Sequence, residues 1–228
     1  MFSKVFLAMT ASEMNNASAK RTAYMALYFS PYGTGLTNIP QALPENSILL
    51  LDDSMQIQHH DPTLIAQQLK ELVDKFSVSA LLLDFQRGTS DAGKAMVSHI
   101  LQALPCTVAV TEAYAREFHC PVFLSPTPVN QAPADHLSAW LKQGVYLEIA
   151  PEATQFSVTE TSVTTSALPT GSNLPLSDER LHCHYNVEVG SGKVIFTLER
   201  TKEDLSALAQ EAYQLGALGV VGLYQELK

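Results

Sequence analysis

The stretch Ala80-Leu81-Leu82-Leu83-Asp84-Phe85-Gln86 carries the decision about the fold. Its apolar residues run without a break, and a strand of that kind is buried on both faces, as in a parallel sheet covered by helices. The same texture recurs in Ile48-Leu49-Leu50-Leu51 and in Val108-Ala109-Val110. Working outward, eight short apolar runs are predicted as strands: Tyr24–Ser30, Ser47–Leu51, Ser79–Phe85, Thr107–Thr111, Pro121–Ser125, Val145–Ile149, Val194–Leu198 and Gly219–Tyr224.

Most of these runs are separated by amphipathic helical patterns. Asp61-Pro62-Thr63 opens one helix, with a capping aspartate and a proline at the first helical position, and Leu64, Ile65, Leu69, Leu72, Val73 and Phe76 face inward. Ser90 or Asp91 opens the next, and Pro105 ends it. Asp135 leads into Leu137, Trp140 and Leu141, stopped by Gly144. Thr201-Lys202-Glu203-Asp204 reads as a capping box and Gly216 as the stop of the last helix. Strands alternating with helices over a chain of 228 residues predict an α/β fold, a (β/α)8 barrel in one domain spanning 1–228, with trimmed loops. An open doubly wound sheet is the alternative. Between Thr154 and Val189 the pattern turns strand-like, and Gly190-Ser191-Gly192 reads as a hairpin loop, which predicts an antiparallel excursion in the second half of the barrel. That segment suits a lid, a dimer arm or padding of the barrel. The strand count leaves little chain for any larger insertion.

Composition narrows the class. Hydrophobic residues make up 46% and charged residues 16%, and the net charge is −9. This is a core-forming chain, and its acidic balance without a Lys/Arg cluster argues against nucleic acid as partner. No apolar run is long enough for a membrane helix. The N-terminal Val5–Met9 run is too short for a secretory apolar region and reads as a short strand. Three cysteines, Cys106, Cys120 and Cys183, are an odd number without pairing spacing, so a reduced, cytoplasmic setting is expected.

In a barrel, chemistry sits at the C-terminal ends of the strands. By that rule the candidates are Tyr28 and Tyr32, Asp52 and Asp53, Asp84, Gln86 and Arg87, Glu112 and Tyr114, Glu148 and Glu152, and Gln225 and Glu226. Acids from several strands aimed at one mouth suit general acid–base work on a neutral polar substrate. The catalytic candidates are Asp84, Glu112 and Glu148; Tyr28, Asp52, Gln86 and Gln225 are the substrate-binding ones. Asp84 stands out because a carboxylate directly after three leucines is too deep for a casual surface residue. Asp52, Asp53, Glu152 and Glu226 also suit plain capping or solvated positions.

His182-x-His184 looks like a metal pair, because residues two apart on a strand share a face, but no third ligand follows from spacing, so no metal and no cofactor is expected. Gly216, Gly219 and Gly222 mostly precede or occupy the last strand, which favours a helix stop and close packing over a phosphate site.

The segment Leu64–Arg87 resembles the fourth strand of glycoside hydrolase family 18 barrels with its preceding helix, and Gly216–Leu227 resembles the last strand of that family. The family carries Asp-x-x-Asp-x-Asp-x-Glu on its fourth strand. Asp84 falls on the last aspartate, whereas Gln86 takes the place of the glutamate, and Ser79 and Leu82 take the places of the two earlier aspartates. The resemblance implies a saccharide ligand, with the glutamate protonating the leaving oxygen and the aspartate orienting the acetamido group that attacks. Glutamine has no acidic proton to give. If Lys4–Met9 is a strand, Ser79–Phe85 becomes the fourth, as the family requires, and one later strand must lie outside the barrel. Two functional classes stay open: a carbohydrate-active barrel, and a non-catalytic barrel that binds a carbohydrate or a partner protein. A sugar-phosphate enzyme is a third. A homo-oligomer is compatible with all of them.

Overall fold

The computed structural model describes residues 2–15 and 21–228. In chain order the elements are β1 (Phe6–Met9), α1 (Ala11–Met14), β2 (Thr22–Phe29), β3 (Leu36–Thr37), β4 (Ile48–Asp52), α2 (Pro62–Phe76), β5 (Ala80–Asp84), α3 (Asp91–Ala103), β6 (Thr107–Val110), α4 (Glu112–Phe118), β7 (Val122–Leu124), α5 (Pro133–Leu137) and β8 (Val145–Ile149). There follow β9 (Ala153–Thr159), β10 (Val163–Leu168), β11 (Leu176–Asp178), β12 (Cys183–Gly190) and β13 (Lys193–Glu199), then α6 (Lys202–Leu215), β14 (Gly219–Leu223) and α7 (Tyr224–Leu227). Strands β1, β2, β4, β5, β6, β7, β8 and β14 pair in parallel in that order, and β14 pairs back onto β1, so the sheet closes into an eight-stranded barrel. The open doubly wound alternative is excluded by that closure.

One of the eight expected barrel strands is not there. Val194–Leu198 belongs to β13, in a separate antiparallel sheet ordered β10-β9-β13-β12-β11. Its place in the barrel is taken by Phe6–Met9, which makes β5 the fourth barrel strand. The physical reason is legible in the two runs. Phe6-Leu7-Ala8-Met9 is apolar throughout, as a strand buried on both faces must be, whereas β13 interposes Thr197 between Phe196 and Leu198, as befits a sheet with one wet face. The chain does carry a real insertion: 153–199 forms five strands between the seventh barrel strand and α6. Chain length is saved on helices, not only on loops. Among the described residues the β1–β2 connection holds only the four-residue α1, and β2 leads to β4 through the small hairpin strand β3.

The caps are as the residues predict. Asp61 accepts from the Thr63 amide at 2.9 Å, Ser90 from the Gly93 amide at 3.1 Å, and Thr201 with Asp204 closes a capping box on α6. Leu64 departs from its expected inward position and is 40% exposed, because Ile65, Leu69 and Leu72 define the buried stripe of α2.

Two apolar layers result. Leu49, Leu51, Leu81, Leu83, Leu147 and Ile149 face outward under the helices. Ala8, Ala23, Ile48, Leu82, Phe123 and Tyr146 fill the barrel interior. Gly219 belongs to that packing: a Cβ there would lie 2.7 Å from the Tyr146 ring. Gly219→Ala is therefore expected to destabilise the barrel by about 1–3 kcal/mol through overpacking. A urea midpoint equal to that of the parent chain would show that the ring has room to move.

The insertion is bolted to the barrel by buried charge. Arg200, 2% exposed, donates to the carbonyls of Thr127, Pro128, Gln131 and Leu181. Glu152 accepts from the Val129 amide at 3.0 Å and the Thr154 hydroxyl at 2.9 Å. Within the insertion itself, Glu199 accepts from the amides of Gly171 and Ser172. His182 meets Glu211, and His184 meets Asp204 at 3.0 Å, both on α6. His182 precedes β12 with a left-handed φ of 48°, so the shared strand face expected for the two imidazoles does not form.

Candidate functional site

The barrel register gathers the strand-end side chains. Tyr28, Asp52 and Asp84 are direct neighbours across β2, β4 and β5. Alternation along each strand sets their direction. Leu81 and Leu83 face the helices and Leu82 the interior, so Asp84 faces the interior, at the C-terminal end. Asp52 follows the same rule from Leu49 and Leu51. On β2 the register shifts between Tyr24 and Leu27, and this irregularity turns Tyr28, between outward-facing Leu27 and Phe29, toward the mouth. On β8, Leu147 and Ile149 face outward and Tyr146 inward, so Glu148 joins the others.

These groups sense one another. Burial pushes the Glu148 carboxyl up to about 7, and the charges of Asp84 and then Glu226 add to the effect. Burial also raises Asp84; the Gln86 amide opposes this by donating to the Asp84 carboxylate at 2.5 Å, and Asp52 and Asp53 raise it further. Tyr28 is raised by burial and by Asp52. Glu226, on the turn of helix after β14, is raised by burial, and its Oε2 is buried without a hydrogen-bond partner among the described residues. Two carboxyls in one mouth whose hold on a proton is strengthened by burial and by each other's charge are the raw material for acid–base work.

The other candidates stand elsewhere. Glu112 opens α4 and pairs with Arg116, one turn on, at 3.9 Å. Gln225 donates to Glu13 of α1 at 2.7 Å. Tyr114 is 1% exposed, edge-on to Phe85 in the layer between barrel and helices, where its hydroxyl donates to the Gly88 carbonyl. Tyr32 is 86% exposed on the loop after β2. Asp53 is a scaffold: it accepts from the amides of Gln86 at 2.9 Å and Arg87 at 3.0 Å, and so fixes the loop that carries Gln86. Sequence reasoning did not single out Glu199 and Arg200. The signal was available, since a charged pair directly after an apolar strand is the same cue that marks Asp84. Among the described residues no group of three or more His, Cys, Asp or Glu side chains is arranged to hold a metal ion, and no helix is long and apolar enough to cross a membrane.

No family model matches the sequence, and no curated protein is significantly similar to it. Solved structures do match the fold. The spore cortex-lytic enzyme SleL of Bacillus cereus superimposes with a TM-score of 0.56 at 11% identity, over 98% of this chain and 70% of that one. A chitinase from Chromobacterium violaceum matches with a TM-score of 0.54 at 10% identity, over 96% and 93% of the two chains. The chitinase-like agglutinin RobpsCRA of Robinia pseudoacacia gives a TM-score of 0.56 at 11% identity, over 99% and 95%. By fold, the chain is a TIM barrel similar to the barrels of these three proteins, with an antiparallel sheet inserted after its seventh strand.

Proposed function

We propose that the barrel mouth takes a saccharide, with Glu148 as proton donor to the glycosidic oxygen, Asp84 as its charged partner, and Tyr28, Asp52 and Gln86 positioning the sugar. The observation that carries this reading is the convergence of Asp84 and Glu148 from the fourth and seventh barrel strands, with the Gln86 amide bound to Asp84. Two of the fold neighbours named above are enzymes, a chitinase and a cortex-lytic enzyme, and the third is an agglutinin, so the architecture serves both cleavage and binding. Gln86 favours the second reading, a saccharide binder without turnover, because an amide cannot protonate a leaving group.

Calorimetric titration with chito-oligosaccharides tests binding, and release from an aryl chito-oligosaccharide tests cleavage. Gln86→Glu puts an ionisable group against Asp84, where like charge raises its affinity for a proton. It is expected to raise aryl release by at least about tenfold, part of what a positioned general acid contributes. Saccharide binding without turnover in either form selects the binder. No heat with any chito-oligosaccharide, together with no turnover in either form, removes the saccharide reading.

A further inference from the structure

Glu226 lies on α7, the short helix that folds back at the end of β14. Its Oε2 is buried and has no hydrogen-bond partner among the described residues. Native folds leave few buried acceptors without a donor, and each is costly. The helix is not free to turn this oxygen away. Leu227 is buried and packs on Gly222, where a Cβ would lie 2.6 Å from the Leu227 Cδ1. Gln225 donates to Glu13 of α1 at 2.7 Å. The Lys202 ammonium donates to the Lys228 carbonyl. The residues on both sides of Glu226 are therefore held, and its carboxylate is held with them.

Glu226 also lines a cleft of about 530 Å³, which lies between loop 170–173 and the start of α6. That volume is ordinary for a small-ligand site. Four charged side chains line the cleft: Glu199, Arg200, Lys202 and Glu226. Three of them are engaged. Glu199 takes the amides of Gly171 and Ser172, Arg200 serves carbonyls, and Lys202 serves the Lys228 carbonyl. Glu226 is the one with an oxygen left over. Its charge is felt by Glu148, so the cleft adjoins the barrel mouth.

We propose that Glu226 is a ligand-binding residue, whose Oε2 accepts a hydrogen bond from a hydroxyl of a neutral sugar seated in this cleft, next to the sugar held in the mouth. The proposal rests on the saccharide reading of the mouth and deepens it: the ligand is at least a disaccharide. Charge selects the donor. The two carboxylates and two cations of the wall balance, so the cleft as a whole favours a neutral ligand over an ion. A hydroxyl supplies the missing donor without adding charge. A hydrogen bond to a charged acceptor is among the stronger kinds, and here it also removes the cost of the orphaned oxygen.

Calorimetric titration of the full chain with N-acetylglucosamine and with its disaccharide tests it. The disaccharide is expected to bind at least about tenfold more tightly than the monosaccharide, and Glu226→Gln to weaken the disaccharide by at least about tenfold, as loss of one hydrogen bond to a charged acceptor should. Glu226 also acts on Glu148, so a second variant separates occupancy of the cleft from charge in the mouth. Ser172→Trp fills the cleft without altering a charge, and is expected to bring the disaccharide down to the affinity of the monosaccharide. If either variant binds the disaccharide as the parent does, the proposal is overturned, while binding by the parent keeps the mouth as a saccharide site. A glucosamine disaccharide that binds more tightly than the acetylated one, and loses that gain in Glu226→Gln, overturns the hydroxyl in favour of an ammonium. No heat from any of these sugars with the parent overturns both readings.

Discussion

Glu148→Gln is expected to lower cleavage of an aryl chito-oligosaccharide by about 10²–10⁴-fold while making the protein more stable above neutral pH. Both effects have one origin. The Glu148 carboxyl is held at about 7 against 4.5 for a free side chain, so the fold favours its protonated form. Below pH 4.5 the folded and unfolded chains both hold the proton, and the group contributes no difference. Between 4.5 and 7 the unfolded chain has released a proton that the fold retains, so stability falls as pH rises through that window. Above 7 both states are ionised and the full penalty of a buried carboxylate applies. The penalty amounts to about 2 kcal/mol once the partial access of water at the mouth is allowed for. Glutamine removes the ionisable group and with it the penalty. Urea unfolding at pH 4.5 and pH 8 is expected to show no difference between the two forms at the lower pH and the gain at the higher. The parent rate should also fall as pH rises past 7, when the donor loses its proton, and the variant should lack that limb. A stability difference that does not change with pH would mean that Glu148 titrates like an ordinary glutamate, and the donor role would go with it.

The barrel was legible because continuous apolar strands and well-capped helices are local signals. Ala80–Asp84 reads as a doubly buried strand from its own residues, and so do Asp61 and Thr201 as caps. The exchange of Phe6–Met9 for Val194–Leu198 was harder, because both are short apolar runs and only pairing partners far along the chain decide which closes the ring. Alternation in β13 already hinted at a one-sided sheet. The site divides in the same way. Strand-end position marked Asp52, Asp84 and Glu148 alike, but what separates them is burial and neighbouring charge, which exist only once β5, β8 and β14 have met around one lumen. Glu112 shows the converse: a strand-end acid by position, it starts α4 and pairs with Arg116 along the helix. Tyr114 was placed near the mouth by the same rule, yet its ring went to the helix layer because the first turn of α4 rotates it under Phe85.

Arg200→Met is expected to cost about 3–5 kcal/mol of folding stability, the largest loss for any single side chain outside the apolar core. Burial works against the charge of a guanidinium this deep, which is tolerated because its fork of donors meets the four carbonyls of Thr127, Pro128, Gln131 and Leu181 and the Glu152 carboxylate opposes the effect of burial. Removing it takes the guanidinium donor from the carbonyls of Thr127, Gln131 and Leu181 in a place water reaches poorly, whereas the Pro128 carbonyl keeps the Gln131 amide at 2.9 Å, and each orphan costs about 1–3 kcal/mol before relaxation. Relaxation is the reason the total stays below the sum: the loop after β7 can open to water. Arg200→Lys should rescue little, since one ammonium cannot span acceptors on two separate segments in the plane of a guanidinium. The measurement is urea unfolding, joined to limited proteolysis of the loop that holds Thr127–Gln131. Faster cleavage there, with the barrel helices intact by circular dichroism, is the expected pattern for a bolt between insertion and barrel. If Arg200→Lys matches the parent midpoint, charge alone suffices at that position. The fork of hydrogen bonds would then not be what fixes the insertion to the barrel.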